Sequence, residues 1–104
     1  VPLYVTESGG PYDDPAPVNG RVDDPLRVAT YRANLRGCLA ALAKGVDLRG
    51  FFAWALMDNL EWSAGFSQRF GLVHVDFATQ QRTIKASGEF YRDVIRTNGA
   101  ALGD

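Results

Sequence analysis

The residue with the clearest chemical potential is Glu7, which follows a short β-prone run and precedes Ser8-Gly9-Gly10. A strand does not continue through such a turn, so Glu7 is expected at the C-terminal end of a strand. A carboxylate held there can act as a nucleophile, a base or a ligand. The alternative is a solvated glutamate at the start of a loop, which position alone slightly favours.

An indole and an acid–indole pair lie further along the chain. Trp54 comes near the end of a second apolar run, and Glu61-Trp62 lies in the loop that follows. Carboxylates accept paired hydrogen bonds from hydroxyls, and an aromatic face packs against the C–H face of a sugar ring. These residues suit sugar binding, although a core position is the simpler explanation of Trp54 alone.

Neither a metal nor a cofactor is expected. His74 has no second His, Cys or acid at ligand spacing, and the sequence contains no phosphate loop or dinucleotide fingerprint. Cys38 is the single cysteine, and the simplest interpretation is a small buried or half-buried helical residue. A lone cysteine fits a reducing compartment, so a cytoplasmic location is predicted.

Several charged residues have simpler interpretations. Asp24 precedes Pro25, a pattern typical of a helix N-cap followed by proline in the first turn. The pair Asp13-Asp14 shows no clear ligand pattern, and Arg69 is a candidate partner for an unassigned loop acid.

The composition and the charge argue against two classes of partner, nucleic acids and membranes. The formal net charge is −1 and both signs are scattered along the chain, so no nucleic-acid partner is expected. No apolar run approaches the roughly 20 residues that span a bilayer, so no membrane partner is expected either. The 46% hydrophobic content is enough for a core.

The elements that must position these residues can be predicted from periodicity. Residues 3–6 and 51–56 have the unalternating apolar character of strands buried on both faces, as in a parallel sheet. A helix is predicted from Asp24-Pro25 to a stop at Gly45. Its core-facing stripe follows steps of three and four and comprises Val28, Tyr31, Leu35, Leu39 and Leu42.

The second half of the sequence is predicted to form a loop, a hairpin and a helix. The loop covers residues 58–70, and residues 72–75 and 82–84 are expected to pair around Thr79-Gln80-Gln81. A final helix is predicted over residues 86–96, ending near Asn98-Gly99. Its apolar side comprises Phe90, Tyr91, Val94 and Ile95.

Two successive βα units imply parallel strands with helical crossovers. Two such strands alone would leave both outer edges open, and they suit the last quarter of an eight-stranded barrel better. The sequence opens directly on strand-like residues and has its only methionine at Met57. We therefore expect a fragment of a longer chain.

Four segments, in order, resemble a known family. Residues 3–9 (LYVTESG) are similar to the nucleophile signature of glycoside hydrolase family 1, and residues 50–62 (GFFAWALMDNLEW) closely match its second signature. Residues 69–76 (RFGLVHVD) and 82–87 (RTIKAS) match its closing segments. The resemblance runs from about residue 2 to residue 99. It departs from the family pattern at Ser8, usually Asn, and at Leu60, usually Phe.

The resemblance implies an α/β fold, a (β/α)8 TIM barrel, of which residues 1–104 supply the seventh and eighth βα units as part of one catalytic domain. It implies hydrolysis of β-glycosides with retention, with Glu7 as the nucleophile. Glu61 would accept hydrogen bonds from the 4- and 6-hydroxyls of the sugar, and Trp62 would donate to the 3-hydroxyl. Trp54 would be the stacking platform, and Phe70 would close the pocket wall.

The same resemblance implies what is missing. The family's acid/base glutamate lies in an Asn-Glu-Pro triplet on the fourth strand, and that triplet does not occur here. The chain alone is therefore expected to be inactive, with a small β-glycoside and the remainder of the barrel chain as its partners. Glu61 argues for unphosphorylated sugars, because the branches acting on 6-phosphorylated sugars have Ser there. The rivals are a non-catalytic sugar-binding protein on the same barrel and a transglycosylase.

Overall fold

The computed structural model describes residues 1–103, which form a parallel strand pair, a short antiparallel hairpin and two packed helices. The elements in chain order are β1 (Leu3–Ser8), α1 (Pro25–Ala43), β2 (Leu48–Ala53), β3 (Val73–Val75), β4 (Arg82–Ile84) and α2 (Ala86–Arg96). A 3-10 turn at Trp62–Ala64 lies between β2 and β3, and a second one at Ala100–Leu102 follows α2. The predicted order of strand, helix, strand, hairpin and helix is confirmed.

Strands β1 and β2 pair in parallel, as the sequence predicts. Their register aligns Leu3 with Leu48 at one end and Ser8 with Ala53 at the other. The helix α1 makes the crossover between them, which is the connection that parallel neighbours require. The C-terminal ends of the two strands therefore lie side by side.

Within residues 1–103 the two strands are covered on one face. Phe51 and Ala53 pack against the core, whereas Phe52 between them is 56% exposed, as is Tyr4 to a similar degree. Successive strand side chains point to opposite faces. The helices cover one face of the pair, and within the described residues nothing covers the other.

Both strand boundaries differ from the prediction. Strand β1 continues through Ser8, so Glu7 lies inside it, and β2 starts at Leu48 and ends at Ala53. The apolar character persists to Leu56 because the chain changes partner after β2. The amide of Ala55 donates to the carbonyl of Phe70 at 3.1 Å, and the chain continues beside the segment that leads into β3.

Helix α1 begins at Pro25 and ends at Ala43, just before Gly45 with a φ of 87°. Tyr31 and Leu35 are buried as predicted. The apolar stripe is wrong beyond them, because Leu39 and Leu42 are 44% and 47% exposed. The buried cluster that joins α1 to α2 and to the final 3-10 turn does not extend along the last turns of the helix.

Asp24 is the N-cap residue of α1 and Pro25 its first residue, as predicted, but the side chain of Asp24 has another role. The Asp24 side chain makes no capping hydrogen bond to α1. Its carboxylate instead accepts from Arg27 Nη1 at 2.6 Å and from the backbone amide and hydroxyl of Ser87. This aspartate therefore joins the start of α1 to the start of α2.

The hairpin of β3 and β4 and the helix α2 match the prediction. Val73 pairs with Ile84 and Val75 with Arg82 in antiparallel register. On α2, Val94 is buried, whereas the predicted core residue Ile95 is 68% exposed. Ile95 lines two open surface grooves, one beside Leu56 and one beside Leu39.

A buried charged network ties the loops to this frame. Asp14 accepts from Arg27 at 2.8 Å and from Lys85 Nζ at 2.6 Å, and Lys85 also donates to Asp58 at 2.8 Å. Burying ions is costly unless each is paired and hydrogen-bonded, as these are. Asp14, which had no predicted role, therefore anchors the long loop that follows Glu7.

Among residues 1–103, neither helix combines the length and the apolar character that crossing a membrane requires.

Candidate active site

The parallel register brings Glu7 and Trp54 to the same edge of the sheet. Glu7 is the penultimate residue of β1, and Trp54 is the first residue after β2. The Trp54 amide donates to the carbonyl of Ser8 at 2.8 Å, which joins the two strand ends directly. The Glu7 carboxyl is exposed at this edge.

The turn after Glu7 passes close to the second strand. A Cβ atom at Gly9 would collide with the carbonyl oxygen of Trp54 and lie 3.1 Å from the hydroxyl of Tyr31. Only glycine fits such a close approach of two backbones. The Gly9 that marks the end of the strand in the sequence therefore also sets the distance between Glu7 and Trp54.

Glu61 and Trp62 lie in the loop that follows β2. The Glu61 amide donates to the carbonyl of Gly65 at 2.7 Å, and the Ala64 amide donates to the carbonyl of Glu61 at 2.8 Å, so the loop is closed on itself. Trp62 adopts a φ of 41° and its side chain is 87% exposed. The indole Nε1 of Trp54 donates to Oε2 of Glu61 at 3.5 Å.

Phe70 lies at the far end of the same loop, where the chain runs back past β2. Its carbonyl accepts from the Ala55 amide, and its ring is partly buried. The neighbouring Arg69 donates to Asp58 at 2.6 Å, which confirms that it pairs with a loop acid. This ion pair closes the base of the loop that presents Glu61.

All five residues singled out in the sequence line one open cleft of about 570 Å³. The residues lining it are Glu7, Ser8, Gly9, Asn34, Trp54, Glu61, Trp62 and Phe70. A second cleft of about 520 Å³ lies between the loops around Asp14 and Gln68 and contains none of the five. The structure therefore brings the predicted residues together.

Asn34 is the cleft residue that sequence reasoning missed. Its amide Nδ2 lies 3.1 Å from Oγ of Ser8 on the strand end. It occupies an exposed position of α1 that the apolar stripe does not include. Its position three residues after the buried Tyr31 places it on the same side of the helix, which is the signal that was available.

The Asp58 carboxyl beneath the loop is held ionised by its partners. Burial raises the pKa of the Asp58 carboxyl, but hydrogen bonds from Lys85 and Arg69 outweigh this and hold the pKa below its ordinary value. Asp58 also accepts from the Gly71 amide at 3.0 Å. A Cβ at Gly71 would collide with the backbone of Met57 and Asp58, so the glycine permits this closure.

His74 lies in β3, within the hairpin that the sequence predicts. Burial, together with the nearby charge of Arg69, lowers its pKa. Its Nδ1 is buried without a hydrogen-bond partner in the described part of the chain. Across residues 1–103, no group of three or more His, Cys, Asp or Glu side chains is arranged to hold a metal ion.

The arrangement has the components of a sugar site on one wall. It presents one carboxylate on a strand end, a second carboxylate on a loop, and two exposed indoles between them. Carboxylates and indole N–H groups together supply acceptors and a donor for hydroxyls, and the ring faces supply the apolar contact.

Comparison with known proteins identifies the family. The sequence model described as "Glycosyl hydrolase family 1" matches residues 1–100. Beta-glucosidase A of Thermotoga maritima is 43% identical over 97 residues, covering 93% of this chain and 22% of that protein. The Beta-glucosidase of an Agrobacterium species is 49% identical over 89 residues, covering 85% and 19%. The chain thus spans about a fifth of the length of these relatives.

Solved structures agree with the sequence matches. The β-glucosidase from Thermotoga maritima in complex with galacto-hydroximolactam superposes with a TM-score of 0.92 at 43% identity, over 94% of this chain and 22% of that one. Its complex with castanospermine gives 0.90 at 44% identity, over 92% and 22%. These neighbours are TIM barrels, of which this chain matches a portion. The chain belongs to glycosyl hydrolase family 1.

Proposed function

We propose that residues 1–104 are the C-terminal part of a retaining β-glucosidase-type hydrolase, with β1 and β2 as the seventh and eighth strands of its barrel. The observation that carries this proposal is the convergence of Glu7, Trp54, Glu61, Trp62 and Phe70 on one cleft. The first two come from neighbouring strand ends, which is where barrel enzymes place catalytic groups. The names of the relatives support β-glucosides as substrates.

Glu7 is the proposed nucleophile. Its carboxylate oxygen forms a bond to the anomeric carbon as the bond to the aglycone oxygen breaks, and the departing oxygen takes a proton from a second carboxyl group. Water then attacks the same carbon, the ester to Glu7 breaks, and the water proton returns to the second carboxyl. In retaining enzymes the two carboxyls lie about 5–5.5 Å apart. The second one belongs to a part of the barrel outside these 104 residues.

The other cleft residues bind and orient the sugar. Trp54 stacks beneath the ring, and Glu61 accepts hydrogen bonds from the 4- and 6-hydroxyls. Trp62 donates to the 3-hydroxyl, and Phe70 closes the pocket wall. The hydrogen bond from Trp54 to Glu61 orients both side chains before the sugar enters, which reduces the ordering cost of binding.

The substrate is an unphosphorylated glycoside. Glu61 faces the position that would carry a 6-phosphate, and a carboxylate there repels a phosphate dianion. The rest of the barrel is the second partner, because the open face of β1 and β2 exposes apolar side chains. These are Tyr4 and Phe52.

The decisive experiment is covalent trapping of Glu7 in the full-length enzyme. A slow 2-deoxy-2-fluoro-β-glucoside with a good leaving group should inactivate the enzyme. The added mass should be found on the peptide that contains Glu7. Inactivation with the label on another carboxylate would reject Glu7 as the nucleophile. If the full-length protein binds the sugar but neither hydrolyses it nor becomes labelled, a non-catalytic sugar-binding protein would be favoured.

A further inference from the structure

The hydroxyl of Tyr31 lies where the two strand ends of the cleft meet. Tyr31 is on α1 and only 1% exposed, and its Oη is 2.9 Å from the carbonyl of Ser8 and 3.2 Å from the carbonyl of Trp54. Ser8 directly follows Glu7. One buried phenol proton is therefore shared between the backbones that carry the proposed nucleophile and the proposed stacking platform.

The ring of Tyr31 is held so that its hydroxyl has little freedom. It packs edge-on against Phe51 with ring centroids 6.4 Å apart and against Tyr91 at 5.9 Å. On the other side, a Cβ at Gly9 would approach the hydroxyl to 3.1 Å. Aromatic packing and the tight turn together fix the donor relative to its two acceptors.

The donor is protonated at neutral pH. Burial raises the pKa of the Tyr31 hydroxyl to about 12. The phenol therefore keeps the proton that it donates to the two carbonyls.

We propose that Tyr31 is a positioning residue for the hydrolysis, holding Glu7 and Trp54 at a fixed separation through the carbonyls of Ser8 and Trp54. This inference rests on the proposed function. Asn34, three residues further along α1, assists by donating to the Ser8 side chain at 3.1 Å. Tyr31 acts on the backbone next to Glu7, and Asn34 acts on the side chain of the residue that follows Glu7.

The expected consequence is a loss of rate rather than of fold. Nucleophilic attack requires the reacting atoms at about 3–3.5 Å in line, and a displacement of about 1 Å can cost on the order of 100-fold in rate. The strand ends retain the hydrogen bond that the Trp54 amide donates to the Ser8 carbonyl, so removal of the Tyr31 hydroxyl loosens them without releasing them. A loss of roughly tenfold in the glycosylation rate is expected.

Tyr91 provides a matched control. It belongs to the same aromatic group, and its hydroxyl also donates to a backbone carbonyl, that of Phe51 at 3.1 Å. Phe51 lies within β2, three residues before Trp54, and Tyr91 does not line the cleft. Tyr31→Phe and Tyr91→Phe therefore remove equivalent atoms. The Tyr91 hydroxyl contacts the backbone of β2 alone, at Phe51 and Ala53, whereas the Tyr31 hydroxyl joins the ends of both strands.

The test uses single-turnover kinetics on the full-length enzyme with an activated aryl β-glucoside. Tyr31→Phe should lower the first-order rate of glycosyl-enzyme formation by roughly tenfold, with the substrate dissociation constant changed by less than about threefold. Tyr91→Phe should stay within about twofold of wild type on both measures. Equal rates in the two variants at equal thermal midpoints would assign Tyr31 a structural role only.

Asn34→Ala keeps the inference testable if Tyr31→Phe does not fold, because Asn34 is exposed and its loss leaves the core intact. A fall of about threefold in the same rate is expected, and an unchanged rate would overturn the inference. Failure of the proposed function is distinguishable, because wild-type enzyme would then form no adduct on Glu7. Failure of this inference leaves that adduct intact.

Discussion

The indole Nε1 of Trp54 donates to Oε2 of Glu61 across 3.5 Å, joining the end of β2 to the loop that follows it. The contact is long and partly exposed, since Trp54 is 39% accessible. A hydrogen bond of this kind contributes at most about 1 kcal/mol to stability. Its value lies in orientation, because it fixes an aromatic face and a carboxylate relative to one another before a sugar enters.

Trp54→Phe should weaken substrate binding more than catalysis. The change retains an aromatic face and removes the donor to Glu61. We expect KM for an aryl β-glucoside to rise roughly tenfold in the full-length enzyme, with kcat reduced by less than about threefold. Steady-state kinetics measure both values. A kcat loss equal to the loss in kcat/KM would show that Trp54 acts mainly in the transition state.

Glu61→Ser should shift specificity toward phosphorylated sugars. In the proposed site, removing the carboxylate takes away both the acceptor proposed for the 4- and 6-hydroxyls and the charge that would repel a phosphate. We expect kcat/KM for an aryl β-glucoside to fall on the order of 100-fold, and that for its 6-phosphate to fall less or rise. The ratio of the two kcat/KM values is the measurement. Glu61→Gln is the control, since it keeps the shape and loses the charge.

Glu7→Gly should abolish hydrolysis and permit chemical rescue. The glycine variant lacks the nucleophile and leaves a space beside the anomeric carbon. Azide should enter that space and attack an activated aryl β-glucoside directly, giving the glycosyl azide of inverted, α configuration. Product analysis by NMR checks the stereochemistry. A β-glycosyl azide as the product, or hydrolysis by the Glu7→Gly variant without azide, would contradict the role of Glu7.

The order of the elements could be predicted because its signals are local, whereas the five site residues were singled out by the resemblance of four ordered segments to one family. Periodicity separates strands from helices, and the glycine turn after Glu7 marks the strand end. The boundaries of the strands could not be predicted as well as their order. The apolar run through Leu56 conceals a change of pairing partner after Trp54, which the hydrogen bonds of Ala55 and Leu56 to residues 70–73 reveal.

Contacts between distant residues could not be predicted in the same way. Asp14 and Lys85 are 71 positions apart, yet their ion pair is buried. In the sequence Asp14 is one of many acids in a polar loop. Asp24 likewise has the local pattern of an N-cap, and its carboxylate is instead used by Ser87 on another helix. Tertiary contacts decide such cases, because burial makes each unpaired charge costly.

Asp58→Asn should destabilise the fold in a pH-dependent way. Asp58 is buried and accepts from Lys85 and Arg69, so the neutral amide leaves buried cations undercompensated. We expect a loss of about 3–5 kcal/mol in the free energy of unfolding at neutral pH. Denaturant unfolding of the full-length enzyme measures it. Arg92→Ala, which removes an exposed ion pair with Asp93, is the control and should cost less than about 1 kcal/mol.

The sign of the pH dependence follows from the lowered pKa of Asp58. A depressed pKa contributes stability that is fully present above the unfolded value of about 3.9 and is lost as the pH falls through the folded value. The difference in stability between wild type and Asp58→Asn should therefore shrink below about pH 4. A difference that stays constant down to pH 2 would contradict the ionised state of Asp58.

The 104-residue chain alone should not hydrolyse an aryl β-glucoside. It carries Glu7 and one wall of the pocket but no Asn-Glu-Pro triplet, so the proposed second carboxyl is absent from its sequence. The open face of β1 and β2 also leaves the cleft without its remaining walls. Purified chain should show no turnover above a Glu7→Gln control. Adding the complementary N-terminal portion of the barrel should restore activity in the wild-type chain and not in Glu7→Gln, whereas turnover by the wild-type chain alone would refute the requirement for a second carboxyl outside it.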